Sequence, residues 1–495
     1  MSDGLPQGWV SVPLSETIED VQPGFASGRK DVEGGITHLR MNNIGLEGEL
    51  VLDLLRTVPP ELAKPRHELQ AGDVLVCTTN SGKLVGKCAY FDLPGRYAFS
   101  NHLTRLRPNP QVVDGRFLRW SLWLDWKRGV FDDKCKHWVN QSTLPKDALL
   151  KNDVVLPPLA EQRRIVAKLE TLLGKVDACQ QRLAKIPVLL KRFRQSVLAA
   201  ACSGRLTADW REENGEIEPA TNLLSRIRKR RPAKKELAPD EVEPIPTDEL
   251  PEGWSWILLW EVLKAQNGRS FPSKDYTATG VRLLRPGNLH VSGKLEWNEK
   301  NTASLPNHWA EDYPDFVLES GDLLMNLTAQ SLKDEFLGRV CLKTDKLAAL
   351  LNQRICRFKM WTDDDLRPFF FRYFKSPRFR SYVNTLDTGS LIRHMHTKQV
   401  LGHVAPLPPL PEQHEIVRRV EALFAVADRI EARFQKAQAQ VSKLTPALLA
   451  KAFRGELVPQ DPDDEPAAEL LARIREARPS TPSSRPSRRG SPEPR

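Results

Sequence analysis

The chain is written twice, and this duplication restricts the fold more than any other feature. Leu5-Pro6-Gln7-Gly8-Trp9 returns as Leu250-Pro251-Glu252-Gly253-Trp254. Leu156-Pro157-Pro158-Leu159-Ala160-Glu161-Gln162 returns as Leu407-Pro408-Pro409-Leu410-Pro411-Glu412-Gln413, and each copy opens a long run with heptad-like apolar spacing. Between these landmarks the halves diverge strongly. A scaffold kept twice with different inserts points to two different reading heads held in equivalent poses.

At 495 residues the chain exceeds one hydrophobic core and should hold two or more domains. The net charge of +10 fits a polyanionic partner, and fits a merely basic soluble protein equally well. The seven cysteines form no Cys-x-x-Cys pair, as expected of reduced thiols. The N-terminus carries no basic-then-apolar signal and no window reaches membrane-spanning length, so a soluble cytoplasmic protein without membrane contact is expected.

The offset between the halves drifts. Arg40 and Asn43 align with Arg285 and Asn288, Gly72-Asp73 with Gly321-Asp322, and Asn101 with Asn352. From Ile165 to Val197 the register then holds, because loops tolerate insertions and a packed helical seam does not. Steps of four and three link Ile165, Leu169, Leu172, Val176, Cys179 and Leu183, and again Ile416, Val420, Leu423, Ala427, Ile430 and Phe434. This is coiled-coil spacing. The economical partner of one stripe is the other, paired antiparallel. Pro187 and Pro446 should kink or break the runs, and Gly204 and Gly455 should stop them.

The expected fold class is α+β, with two pseudo-repeated mixed α/β heads separated by two long antiparallel coiled-coil helices. The domains fall at 1–155 (head 1), 156–204 (first helix), 205–249 (short helix and charged linker), 250–406 (head 2), 407–455 (second helix) and 456–495 (short helix and disordered tail). Aromatic helices are expected near Phe117–Trp126 and Phe369–Phe374, with Trp120 and Trp123 in the core. The basic run from Arg226 to Lys235 reads either as a phosphate grip or as a solvated linker.

No Gly-x4-Gly-Lys-Ser/Thr loop, no Asn/Asp-Pro-Pro-aromatic segment and no Gly-rich cofactor turn occurs. His394, His396 and His403 cluster in sequence but lack a carboxylate or thiolate at zinc-ligand spacing, so no metal and no catalytic residue is expected. The polar loops after the Gly-Asp pairs are the better candidates for contacting DNA. They hold Thr79, Asn80, Ser81 and Lys83 in one half, and Asn326, Thr328, Gln330, Ser331 and Lys333 in the other. Asn and Gln pair with adenine, while Lys, Ser and Thr serve phosphates or base edges. Arg40 and Asn43, with Arg285 and Asn288, have the same potential, although a recurring Arg and Asn can equally mark a structural turn.

Taken together, the repeated Leu-Pro-x-Gly-Trp entrance, the Gly-Asp with its polar loop, and the Leu-Pro-Pro-Leu-x-Glu-Gln helix start resemble the specificity subunit of Type I restriction–modification systems. The resemblance runs from Leu5 to about Arg478. It implies two target recognition domains, each reading half of a bipartite site in double-stranded DNA, and helices that act as spacer and as docking platform. It also implies two methyltransferase subunits and, through the complex, restriction subunits. These partners would hold S-adenosylmethionine, ATP and Mg²⁺, this chain holding no cofactor. A self-contained DNA-modifying enzyme and a coiled-coil scaffold without a DNA role remain the alternatives.

Overall fold

The computed structural model describes residues 4–28, 31–139, 141–232, 238–239, 241–330, 335–386 and 393–477. Ser331, Lys333, the end of the basic run and the tail beyond Pro479 lie outside them. The chain forms two compact units, residues 1–183 with 436–495, and residues 184–435. The units therefore do not follow the sequence halves. Each takes one head together with segments from both long helical runs.

Both heads are built on the same plan. In head 1 the strand that follows the entrance, Val10–Pro13, pairs antiparallel with Asp153–Leu156, the strand that leads into the helix. In head 2 Ser255–Leu258 pairs with Val404–Leu407 in the same way. Each head then carries a four-stranded antiparallel sheet. Its order is Ile18–Pro23, Leu103–Pro108, Val74–Cys77, Cys88–Tyr90 in head 1, and Leu263–Asn267, Ile355–Met360, Leu323–Asn326, Val340–Leu342 in head 2. A second sheet holds one parallel pair, Ile36–Leu39 with Tyr97–Phe99, matched by Val281–Leu284 with Ala349–Leu351.

The strand after each Gly-Asp pair is apolar at nearly every position because both its faces are covered. Val74 and Val76 face the cluster containing Phe117 and Leu118 of the helix Gly115–Lys127, while Leu75 and Cys77 face Leu39, Phe91 and Phe99. In head 2 Leu323 and Met325 meet Phe369 and Phe370, and Leu324 meets Leu284 and Leu351. Trp123 is buried and donates its indole N–H to Leu46 O at 3.0 Å. Trp120 is half-buried beneath the Arg119 guanidinium, 3.6 Å from its ring centre.

The repeated landmarks meet in space. Trp9 donates its indole N–H to the Glu161 carboxylate at 2.9 Å, and Trp254 donates to Glu412 at 2.7 Å. Gly8 and Gly253 make the preceding turn with φ of 77° and 81°, a conformation only glycine adopts cheaply. Gln162 and Gln413 each donate to the carbonyl five residues back, Pro157 and Pro408, both at 2.9 Å. Entrance and helix start are thus one buried hydrogen-bonded knot, which explains why both motifs recur as a pair. A short helix closes each knot. Ala220, opening Ala220–Arg230, donates its N–H to Gly253 O at 2.8 Å, and Ala467, opening Ala467–Ala477, donates to Gly8 O at 2.9 Å.

The two knots differ in one respect. Glu412 also accepts from the Thr207 hydroxyl at 2.6 Å and from Arg211. The positions that match these in the repeat are Val458 and Pro462, whose side chains have no donor. The second oxygen of Glu161 is accordingly buried without a partner among the described residues. Burial pushes the Glu161 carboxyl up, against the lowering effect of the Trp9 bond.

The long runs break where proline demands it. The first is Leu159–Ala184 followed by Ile186–Cys202, and the second is Leu410–Val441 followed by Leu444–Ala452. Each break sits within four residues upstream of Pro187 or Pro446, whose rings clash with the carbonyl one turn earlier. In the second unit the two runs lie antiparallel, with Arg194 bonded to Asp428 and Glu431 at 2.7 Å, and Arg419 bonded at 2.6 Å to Asp209 of the short helix Ala208–Glu213 that follows the first run.

The expectation of a uniform seam needs correction. Ile165, Leu169 and Val176 are buried, but so are Val166 and Leu173, because the first turns lay a broad stripe on their own head. Ile416 and Val420 do the same beside head 2. Leu172, Leu183, Leu423 and Phe434 are half-buried, and Ile430 is 43% exposed, so it belongs to no closed seam within its unit.

The unequal knots give a pH prediction. A carboxyl whose folded value is raised contributes stability that is complete below its unfolded value of about 4.5 and is lost as pH rises through the folded value. E161Q, a neutral mimic, should therefore gain on the natural chain as pH is raised from about 5 to 8 in urea unfolding. E412Q leaves Arg211 without its anion and should cost about 1–3 kcal/mol at neutral pH. Equal behaviour of the two variants would contradict the asymmetry.

Candidate nucleic-acid interface

The candidate loops are placed by the Gly-Asp turns. Gly72 and Gly321 adopt φ of 103° and 91°, and the following aspartates fold back to accept from the backbone N–H of Gln70 and Glu319 at 2.8 Å. Asp73 also takes Arg107 through two bonds of 2.8 and 2.9 Å, and Asp322 takes Arg357 at 3.1 Å. These ion pairs, each with its carboxylate buried, tie the turn to the neighbouring strand. The central strand then delivers whatever follows it to the opposite end of the sheet.

In head 1 that delivery is a short strand, Thr79–Asn80, and a turn, Gly82–Leu84. Ser81 and Lys83 are exposed, and Thr79 and Asn80 are half-buried. Asn80 accepts from Ser81 N at 2.8 Å and donates to the Cys77 sulfur at 3.5 Å, so part of its amide is already engaged. Burial pushes the Cys77 thiol up and keeps it protonated. The Lys83 carbonyl accepts from the Trp126 indole at 3.1 Å, fixing the backbone that carries the lysine. In head 2 Thr328 is half-buried and Gln330 exposed, whereas Asn326 is fully buried and spends its amide N–H groups on Thr328 O and Phe336 O at 2.7 and 2.8 Å. Asn326 shapes its loop and offers a duplex nothing.

Asn43 and Asn288 are corrected in the same way. Both are buried. Each accepts from the backbone N–H of the arginine three residues earlier, Arg40 at 2.9 Å and Arg285 at 2.8 Å. Asn43 donates to Val51 O and Leu54 O, and Asn288 donates to Glu296 O and Asn301 O. A cation one residue before a strand ties the same turn, Lys87 ahead of Cys88–Tyr90 to Ile44 O at 2.6 Å and Arg339 ahead of Val340–Leu342 to Leu289 O at 3.2 Å. The recurrence of Arg and Asn therefore marks a structural turn. Arg40 and Arg285 are half-buried, and Arg285 donates to Asn301 O at 2.8 Å.

Other polar features are absorbed by the fold. Arg226 pairs with Glu218, Arg228 with Glu261 at 2.5 Å, and Arg231 covers the Trp260 ring, so the described part of the basic run docks its short helix on head 2. His403 is buried, 2.7 Å from the Tyr373 hydroxyl, while His394 lies exposed on a strand and His396 precedes a helix. No group of three or more potential metal ligands occurs among the described residues. No helix there is long and apolar enough to cross a membrane.

Sequence reading missed what pairs with the loops. In head 1 a hairpin, Lys136–His137 against Ser142–Thr143, adds to Thr79–Asn80 as a three-stranded sheet. In head 2 Arg393–His394 adds to Thr328–Ala329, and Leu327 N donates to the carbonyl of exposed Arg354 at 3.0 Å. These partners stand 60 or so residues from the loops in sequence, and only the alternation of basic and bulky residues in Lys134–Val139 hinted at one of them.

The buried asparagines yield a separable outcome. N43A leaves Val51 O, Leu54 O and Arg40 N short of a partner, and N288A leaves Arg285 N short of one. Each should lower stability by about 1–3 kcal/mol in chemical denaturation, N288A less because Glu296 O and Asn301 O keep other donors. Any DNA preference of the folded fraction should be unchanged. A changed preference at equal stability would restore these residues as readers.

No protein-family model matches the chain. The specificity subunit of the type I restriction enzyme EcoKI, from Escherichia coli (strain K12), is 31% identical over 510 residues, 97% of this chain and 97% of its own length. That of EcoDI, from Escherichia coli, is 32% identical over 396 residues, 74% of this chain and 78% of its own. A chain from a solved type I R-M system, studied for its complex assembly and conformational transition, has a TM-score of 0.63 at 20% identity, covering 91% of this chain and 99% of the other. That likeness concerns the fold alone, and it is the fold described above. The sequence likeness spans both heads, both knots and both helical runs, and the chain belongs to the specificity subunits of type I restriction enzymes.

Proposed function

We propose that this chain is the non-catalytic, cytoplasmic DNA-recognition and assembly subunit of a Type I restriction–modification complex, each head reading one half of a bipartite, asymmetric site in double-stranded DNA. The carrying observation is that both heads deliver a loop from the end of the same buried strand, with Ser81 and Lys83 exposed in one and Gln330 in the other. Equivalent delivery of different side chains suits a split target whose halves differ.

The repeated knots and helix starts would offer two equivalent surfaces, which suits two methyltransferase subunits, with restriction subunits joining through the complex. S-adenosylmethionine would serve adenine methylation, and ATP with Mg²⁺ would serve translocation and cleavage, all within those partners. The absence of a phosphate-cradling or methyltransferase motif in this sequence supports leaving the chemistry to them.

Single-molecule sequencing of host DNA with and without the gene tests this reading. A split motif of modified adenines should disappear on deletion and return when the gene is restored. Persistence of every modified motif would contradict it.

A further inference from the structure

Of the 12 tryptophans, Trp138 alone is exposed, at 70%, and its neighbour Val139 is 99% exposed. Single exposed apolar residues are ordinary, but Trp138 and Val139 side by side make a contiguous apolar tip, and contiguous exposed apolar surface marks contact sites. The tip is well held. Trp138 N donates to Gln141 O at 2.7 Å, His137 Nδ1 lies 2.9 Å from the Ser142 hydroxyl, and Ser142 pairs in register with Asn80. A Cβ on Gly82 would lie 3.4 Å from that same hydroxyl, so the Lys83 turn and the hairpin pack as one body.

The surroundings argue for a polyanion. Lys136 and His137 are exposed on the hairpin, and Lys83 is exposed on the turn beside it. Asp132 and Asp133 are exposed on the preceding turn, with the Asp132 carboxylate 3.5 Å from where a Gly82 Cβ would stand. Lys134 is occupied by Asn152 at 2.7 Å. The apolar tip thus has cations behind it on both the hairpin and the loop. An aromatic ring and a branched side chain projecting beyond cations match a wedge that enters a groove and leans on a base step. Protein–protein contacts are depleted in lysine, whereas the cations flanking this tip are Lys136 and Lys83.

We propose that the Lys136–Val139 hairpin of head 1 is a groove probe, with Trp138 stacking against a base step of the half-site that head 1 reads while Lys136 and Lys83 hold the flanking phosphates. This rests on the reading of head 1 as a DNA-reading head.

The test uses the full chain and a duplex carrying its mapped target, with 2-aminopurine placed in turn at each position of the half-site assigned to head 1. W138A should bind the target at least about tenfold more weakly than the natural chain, since a base–aromatic stack accounts for roughly that factor or more. W138F should stay within about threefold, and neither variant should change thermal unfolding. The natural chain should alter the 2-aminopurine signal at one step, and W138A should abolish that change. Target binding by W138A equal to that of the natural chain would overturn the probe alone. Loss of methyltransferase capture by W138A with DNA binding intact would also overturn it, making the tip a protein contact. If the natural chain itself fails to prefer its target over a scrambled duplex, the DNA-reading assignment falls, and the probe falls with it.

Discussion

The indole-to-carboxylate bond at each helix start is the constraint on which the rest of the structure depends. A carboxylate buried at the first turn of a helix requires donors, and the indole N–H of Trp9 or Trp254 is the one donor common to both copies. That bond fixes where the chain enters a head relative to where it leaves. The first and last strands can then pair, and both sheets hang from a closed base. The glutamine beside the glutamate and the short helix on the entrance glycine complete the knot. Apart from the extra donors on Glu412, the two knots match, and the strongest divergence lies beyond them.

The knot also explains how two heads of different sequence keep one topology. Strand order, the parallel pair, the Gly-Asp turn bonded to an arginine of the neighbouring strand, and the Arg-x-x-Asn turn pinned by a cation beside the next strand all recur. The recurring polar residues are turned inward, where each satisfies backbone groups that burial would otherwise leave unpaired. Exposed side chains at the loop ends differ between the heads. Burial thus separates the shared scaffold from the exposed loop ends, and recurrence by itself does not find a contact residue.

Much of the architecture was legible in the amino-acid sequence because it rests on local signals. The paired motifs mark the entrance and helix start that bond in each copy, heptad spacing marks the helices, and Pro187 and Pro446 mark their breaks. The site was only partly legible. The Gly-Asp pairs mark the strand whose end carries the exposed Ser81, Lys83 and Gln330. Asn43, Asn288 and Asn326 were misjudged, since a polar side chain that shapes a turn and one that contacts a base look alike until burial is known. The Lys136–Thr143 hairpin and the strand at Arg393 were missed because their pairing with the loops is long-range and each contributes only two residues. Ile430 was placed in a seam by its spacing, yet spacing names a stripe and not what covers it.

The most direct test of two independent heads on a repeated base is an exchange. Residues 258–400 would be replaced by the corresponding segment of another specificity subunit, with the knot at Trp254 and Glu412 left intact, and the methylated motif would be mapped by single-molecule sequencing. The account predicts that one half of the split motif changes while the other half stays as it was. A change in both halves, or in neither, would contradict it.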